Sequence, residues 1–254
     1  MKNITTATLV IALAGCYLSE DENDGLSAPS LSTIHTVSDI PIPQGYERVS
    51  KKKNSFADWL LSVPVKSDKR VFLYDGTLKR DQTVQYAVLD LPVGTQNLQQ
   101  CADAIMRMRA EYLFSQQRYP EIKFRDNNDT WYCWQGADDR QKFELYLKKV
   151  FGMCGTASLE KQLSVTRPLK DVQAGDVFIK GGFPGHAMLV VDVAVSKEGK
   201  RIYMLAQGYM PAQDIHIVNN PRNALLGPWY EVNDDAIIET PEWTFKKGQL
   251  RGWE

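Results

Sequence analysis

The chain has 254 residues, 43% hydrophobic and 10% aromatic, with a formal net charge of −1. That is ample apolar material for a core, and the interspersed charges form no basic stripe, which argues against nucleic acid as a partner. His35, His186 and His216 lie far apart, and no H-E-x-x-H, paired C-x-x-C, P-loop or dinucleotide fingerprint occurs, so neither a metal nor a cofactor is expected.

At the N-terminus, Lys2 precedes an apolar run from Ile4 to Ala14, and Leu13-Ala14-Gly15-Cys16 closes it. The run is shorter than the about 20 residues that span a bilayer as a helix. Small residues before Cys16 suit a signal peptidase. The segment resembles a lipoprotein signal peptide, which implies removal of residues 1–15, diacylation of Cys16 and a membrane anchor; an ordinary signal peptide is the alternative. Each buried CH₂ of an acyl chain contributes about 0.8 kcal/mol to anchoring. The acidic run Ser19-Glu20-Asp21-Glu22-Asn23-Asp24 and the Gly-, Ser- and Pro-containing stretch after it make residues 16–40 a solvated tether. The acidic cluster also resembles the surface-export signal of Bacteroides-type lipoproteins. Tyr17 stands where an Asp would resemble inner-membrane retention, so the resemblance points to the outer membrane of the cell envelope.

Residues 41–254 read as one α+β domain. Pro41 to Val49 is an entry turn, and Ser55 caps a short helix to Leu61. Val71–Tyr74 and Tyr86–Leu89 are strand-like. Asn97 to Phe114 is the clearest helix: Leu98, Cys101, Ala102, Ile105, Met108 and Tyr112 recur at helical spacing, with Asn97 as N-cap and Gln100 at N3. Arg107 and Arg109 are assigned to its solvated face. Phe143 to Phe151 is a second helix, ended by Gly152, and Ala157 to Leu163 a third. Strands follow at Asp176–Ile179, Ala187–Val195, Ile202–Ala206 and Ile215–Val218, with a hairpin at Ser196–Lys200. Alternation of His216 with Ile215 and Ile217 points His216 outward.

Besides Cys16 there are three cysteines, Cys101, Cys133 and Cys154, an odd number for an exported protein. Cys133 and Cys154 are open to a disulfide, core filling or a rival nucleophile role. Cys101 falls in the first turn of its helix, where the helix dipole favours a thiolate. His186 opens an apolar strand at a sheet edge, partly exposed, a position suited to a general base. Its partner can be sought by register. Asp192 is roughly 20 Å away along the same strand and is excluded. A turn centred near Glu198–Lys200 sets His186 opposite Pro211 to Gln213, so Gln213 is the first geometric candidate. Gln207 is the second, reachable through a bulge near Pro211. Gln96 and Gln99 are candidate oxyanion donors.

The stretch Ala174-Gly175-Asp176-Val177-Phe178, then Gly185-His186 and an apolar strand, resembles the P-G-D-[LV]-x-F…H-V-[AG]-[IV] pattern of NlpC/P60-like papain-fold cysteine hydrolases. That resemblance implies a nucleophile heading a helix packed on an antiparallel sheet, and Cys101 and His186 match in kind and order. The G-D-C-S-G-type motif is replaced by Gln100-Cys101-Ala102-Asp103, and the long Cys101–His186 separation implies a helical insertion near Pro120–Arg140. Over nearly the whole mature chain, LQQCADAIMRMRAEYL, FGMCGTASL, GDVFIKGGFPGHAMLVVDVA, LAQGYMPAQDIHI and GPWY resemble a family of Bacteroidetes lipoproteins known as domain of unknown function 4846. The expectation is an envelope lipoprotein acting as a cysteine amidase or peptidase on peptide or peptidoglycan amides. The alternative is a non-catalytic binding lipoprotein with a degenerate papain-like groove.

Overall fold

The computed structural model describes residue 1 and residues 34–254. Cys16, the apolar run before it and the acidic run lie outside the described residues. Residues 34–40, assigned to the tether, contribute Ile34, Val37 and Ile40 to the core at 2%, 0% and 1% exposure. Their i, i+3, i+6 spacing around a short 3₁₀ turn was hidden by the polar residues between them.

A long hairpin organises the fold: β7 (His186–Ser196) and β8 (Arg201–Gln207), joined through the Ser196–Lys200 turn. Against β7 lie β6 (Val177–Lys180) at its start and β1 (Tyr46–Arg48) at its end. Against β8 lie β10 (Trp229–Glu231) near its start and β9 (His216–Val218) at its end. Beyond β9 runs β2 (Gln85–Val88); beyond β6 run β13 (Leu250–Gly252) and β5 (Val165–Thr166). Every pairing is antiparallel. This is a mixed α+β fold with an antiparallel sheet.

Residues 186–194 of β7 are buried without interruption because both faces of the sheet are covered. Ala187, Leu189 and Val191 pack with α1 (Phe56–Leu61), α2 (Cys101–Ser115), α3 (Arg140–Met153) and α4 (Thr156–Gln162). Met188 and Val190 face a second cluster that includes Phe178, Tyr203, Leu205 and Phe245, the last from β12 (Thr244–Lys246). A strand buried on both sides reads as a continuous apolar run, as the sequence does here.

The polar expectations on α2 need correction. The helix starts at Cys101, with Gln100 as N-cap donating its N–H to Asp103 Oδ2 at 3.0 Å. Asn97 instead accepts from Ala212 N at 2.8 Å, tying the helix start to the segment after β8. Arg107 is buried, because the surrounding helices enclose α2 and Glu111 (2.7 Å) and Gln99 (3.0 Å) meet its donors. Between α2 and α4 the insertion adds a hairpin, β3 (Lys123–Arg125) with β4 (Trp131–Cys133), as well as helix.

Asp192 marks the irregularity in the β7–β8 register and is fully buried. It takes Arg48 Nε at 2.7 Å and Lys51 Nζ at 2.6 Å, clamping β1 and the following loop to the sheet. Removing the carboxylate strands two cations, so Asp192→Ala is expected to lower unfolding free energy by about 3–5 kcal/mol in urea titration. A loss below about 1 kcal/mol would show that the clamp is dispensable.

Candidate functional site

Cys101 is the first residue of α2 and 9% exposed, and His186 is the first residue of β7 and 2% exposed. Both line a cleft of about 440 Å³ together with Asp103, Cys154, Tyr209 and Trp243. Two close approaches shape it. A Cβ on Gly185 would stand 2.3 Å from Gly182 O and 2.5 Å from Thr156 Oγ1, so only glycine brings the chain to His186 by this route. A Cβ on Gly208 would stand 2.9 Å from Gln100 O, so a glycine there lets the end of β8 lie against the start of α2.

His186 is therefore not a partly exposed edge residue. Its ring sits among Tyr209, Trp243 and Phe245, with centroids 5.0, 5.3 and 5.9 Å away. Burial pushes its pKa down to about 4, against a partial rise from its bond to Gln207, so the imidazole is neutral at pH 7.

Gln207, and not Gln213, is that partner: its Oε1 lies 2.8 Å from His186 Nε2. Register explains the exchange. Leu189 pairs with Ala206, which sets His186 nearly opposite Tyr209 and brings Gln207 alongside on the same face. Gln213 lies beyond the end of β8, its backbone bridging Leu73, and its Nε2 has no partner among the described residues.

The Gln207 amide is fixed from behind. Its Nε2 donates to Glu242 Oε2 at 2.7 Å and to His216 Nε2 at 3.2 Å. His216 Nδ1 donates to Asp214 O at 2.9 Å, which leaves Nε2 as the acceptor. Glu242 is ion-paired with Lys79 at 2.8 Å. With both amide hydrogens engaged, Oε1 must accept from His186 Nε2–H, and His186 Nδ1 keeps its lone pair.

His216 was expected to point outward; it is fully buried. Alternation gives an outward position only where one sheet face meets water, and here both are covered. Burial pushes its pKa down to about 4. Glu242, Lys79 and Asp103 escaped the sequence reading. Glu242 and Lys79 lie in segments without periodicity, and Asp103 resembled an ordinary first-turn acid.

At Cys101, burial pushes the thiol up to about 11, opposed by the Ala102 and Ala187 N–H groups directed at sulfur. The helix start thus does not outweigh desolvation. Asp103 is similar: burial raises its carboxyl to about 8, and Oδ1 has no partner among the described residues. Cys154 lines the same cleft as a free thiol, and Cys133 is free and exposed, so they form no disulfide. Gln99 is held by Arg107, and it and Gln96 line another recess, away from sulfur. Among the described residues, no group of three or more His, Cys, Asp or Glu could hold a metal ion.

Asp103 carries a signed pH dependence. Its folded pKa of about 8 lies above the unfolded 3.8, so the native state keeps a proton that the unfolded state releases. The stability this gives is present below 3.8 and lost as pH rises through about 8. Between pH 6.5 and 8 the wild type is expected to lose up to about 1.4 kcal/mol per pH unit from this group, and Asp103→Asn to lack that slope. Parallel urea midpoints across that range measure it, and identical slopes would refute the assignment.

No curated protein and no solved structure matches the chain. Residues 37–136 and 123–252 match the family model described as domain of unknown function (4846), and the chain belongs to that family.

Proposed function

We propose that the protein is an envelope lipoprotein and a papain-like cysteine hydrolase, with Cys101 as nucleophile, His186 as general base and Gln207 as the residue that orients it. The observation carrying this reading is the His186 Nε2–Gln207 Oε1 bond at 2.8 Å, which leaves Nδ1 as the basic nitrogen of a histidine that lines the same cleft as Cys101. In the proposed reaction the Cys101 sulfur attacks an amide carbonyl while its proton passes to His186 Nδ1. In this reading the Ala102 N–H at the start of α2, directed at the sulfur in the resting state, meets the oxyanion as charge passes to it. The imidazolium then returns the proton to the leaving amine, and water attacking the thioester releases the acid and restores the thiol.

The substrate class follows from the setting. A lipoprotein-type signal ahead of Cys16 implies work at the membrane, where peptide and cell-wall amides are the available acyl groups. No helix among the described residues is long and apolar enough to cross a membrane, so attachment in this reading rests on Cys16.

A peptidyl chloromethyl ketone tests the nucleophile. Mass spectrometry is expected to find the adduct on Cys101, slowed about 10²-fold or more by His186→Ala, with labelling of exposed Cys133 unchanged. Equal labelling of Cys101 in both proteins, or an inert Cys101, would remove the hydrolase and leave a binding groove. The anchor has its own test. Radiolabelled palmitate is expected in wild type and absent from Cys16→Ser, which should leave the membrane fraction; a membrane-bound, unlabelled variant would contradict the lipid anchor.

A further inference from the structure

A second cleft opens at the other end of α2. Arg109 lies eight residues beyond Cys101, roughly 12 Å along the helix at 1.5 Å per residue. Its guanidinium carbon stands 5.1 Å from the Phe56 ring centroid, 5.4 Å from Tyr112 and 5.1 Å from Trp253. The rings hold the guanidinium in place, yet among the described residues its N–H groups reach neither a carboxylate nor a carbonyl. This is unusual in the molecule. Arg48, Arg107, Arg140 and Arg167 each meet a carboxylate within 2.7 Å. A half-buried guanidinium with no protein acceptor among the described residues keeps its five donors for water or for a bound anion.

The cleft in front of it measures about 510 Å³ and is lined by Lys51, Lys52, Arg167 and Arg201 in addition to Arg109. Its carboxylates are Asp176 and Glu254. Asp176 accepts from Arg167 Nε at 2.8 Å, and Glu254 Oε1 accepts from Ser164 Oγ at 2.8 Å. Lys51 is held by Asp192 behind the wall. Arg109, Arg201 and Lys52 are left without a carboxylate among the described residues; Arg201 donates only to Val172 O, at 3.3 Å. The indole N–H of Trp253 also lacks an acceptor. In a chain of net charge −1, Arg109, Arg201 and Lys52 outnumber the Glu254 carboxylate, whose Ser164 partner is neutral, and leave this recess locally positive.

We propose that this cleft binds the phosphate group of an organic ligand, with the Arg109 fork as the main contact and Arg201 and Lys52 adding charge at the rim. A guanidinium fork matches two phosphate oxygens, and the further cations suit an anion with several free oxygens better than a single carboxylate. The volume far exceeds a bare phosphate, and Val49, Ala57 and Val172 supply apolar wall for the rest of the ligand. Either a soluble phosphoester or the headgroup of an anionic lipid presents this chemistry. The site shares no lining residue with the thiol cleft, so it stands or falls independently of the hydrolase.

Calorimetry of the full chain carrying Cys16→Ser, at constant ionic strength, is the test, with glycerol 3-phosphate as the soluble probe and acetate as the carboxylate control. Phosphatidylglycerol and phosphatidylcholine vesicles, read by co-sedimentation, probe the lipid source. Saturable binding of glycerol 3-phosphate or selective binding of phosphatidylglycerol is expected, weakened about tenfold or more by Arg109→Gln and less by Arg109→Lys. Binding of glycerol 3-phosphate alone assigns the soluble source, and binding of phosphatidylglycerol vesicles alone assigns the lipid. Should Arg109→Gln unfold through loss of stacking, Arg201→Gln and Lys52→Gln at the rim give the same comparison in a folded protein. No saturable binding of either probe, acetate binding as tight as phosphate, or binding unchanged by these variants would overturn the proposal.

Discussion

The candidate site depends on one buried amide. Gln207 has three polar neighbours, His186, His216 and Glu242, and one arrangement that satisfies them all. Glu242 Oε2 and His216 Nε2 both accept, so both amide hydrogens are committed and the oxygen must face His186. A flipped amide would set oxygen against carboxylate and leave two donors crowding His186. Burial makes such a mismatch costly, about 1–3 kcal/mol for each group left unsatisfied. The tautomer of His186 is thereby set from outside the cleft, by residues of β9 and of the loop before β12. Lys79 extends the constraint, since its ion pair holds the carboxylate on which the amide hangs.

This arrangement needs a sheet covered on both faces. α2 occupies one face of β7 and carries Cys101 to the start of the strand. The aromatic cluster around Phe178, Tyr203 and Phe245 occupies the other, and its Phe245 ring stacks against His186 at 5.9 Å between centroids. Thiol and imidazole thus come from elements on opposite sides of the same strand end, and the glycines at 185 and 208 leave room for them to share a cleft. The same coverage depresses the histidines and raises Cys101 and Asp103. Desolvation is the first cause in each case.

Local physics explains which parts were legible in the sequence. Ser55 capping α1, the apolar run of β7, the turn after Ser196 and the Cys101–His186 order all follow from spacing or composition within short windows. Gln207 was reachable only by register arithmetic, and one misplaced turn residue promoted Gln213 over it. His216 and Arg107 were misjudged for a shared reason. Alternation and helical spacing reveal faces, but what covers the opposite face depends on other elements of the fold, which neither pattern reports. Glu242 reaches Gln207 across 35 positions and Lys79 reaches Glu242 across 163, with no periodic pattern to mark either.

The proton inventory bears on the proposed chemistry. Burial raises the Cys101 thiol to about 11 and lowers the His186 imidazole to about 4, so both groups favour their neutral forms. The neutral forms are therefore the resting state of both groups. Proton transfer must then accompany attack on the carbonyl, when charge passes from sulfur to the carbonyl oxygen and the Ala102 N–H. Such a step gains little from a standing thiolate and much from an imidazole whose bond to Gln207 leaves Nδ1 as the base. In that chemistry the Gln207 network supplies orientation, and a thiol held protonated by burial is the starting state of the reaction.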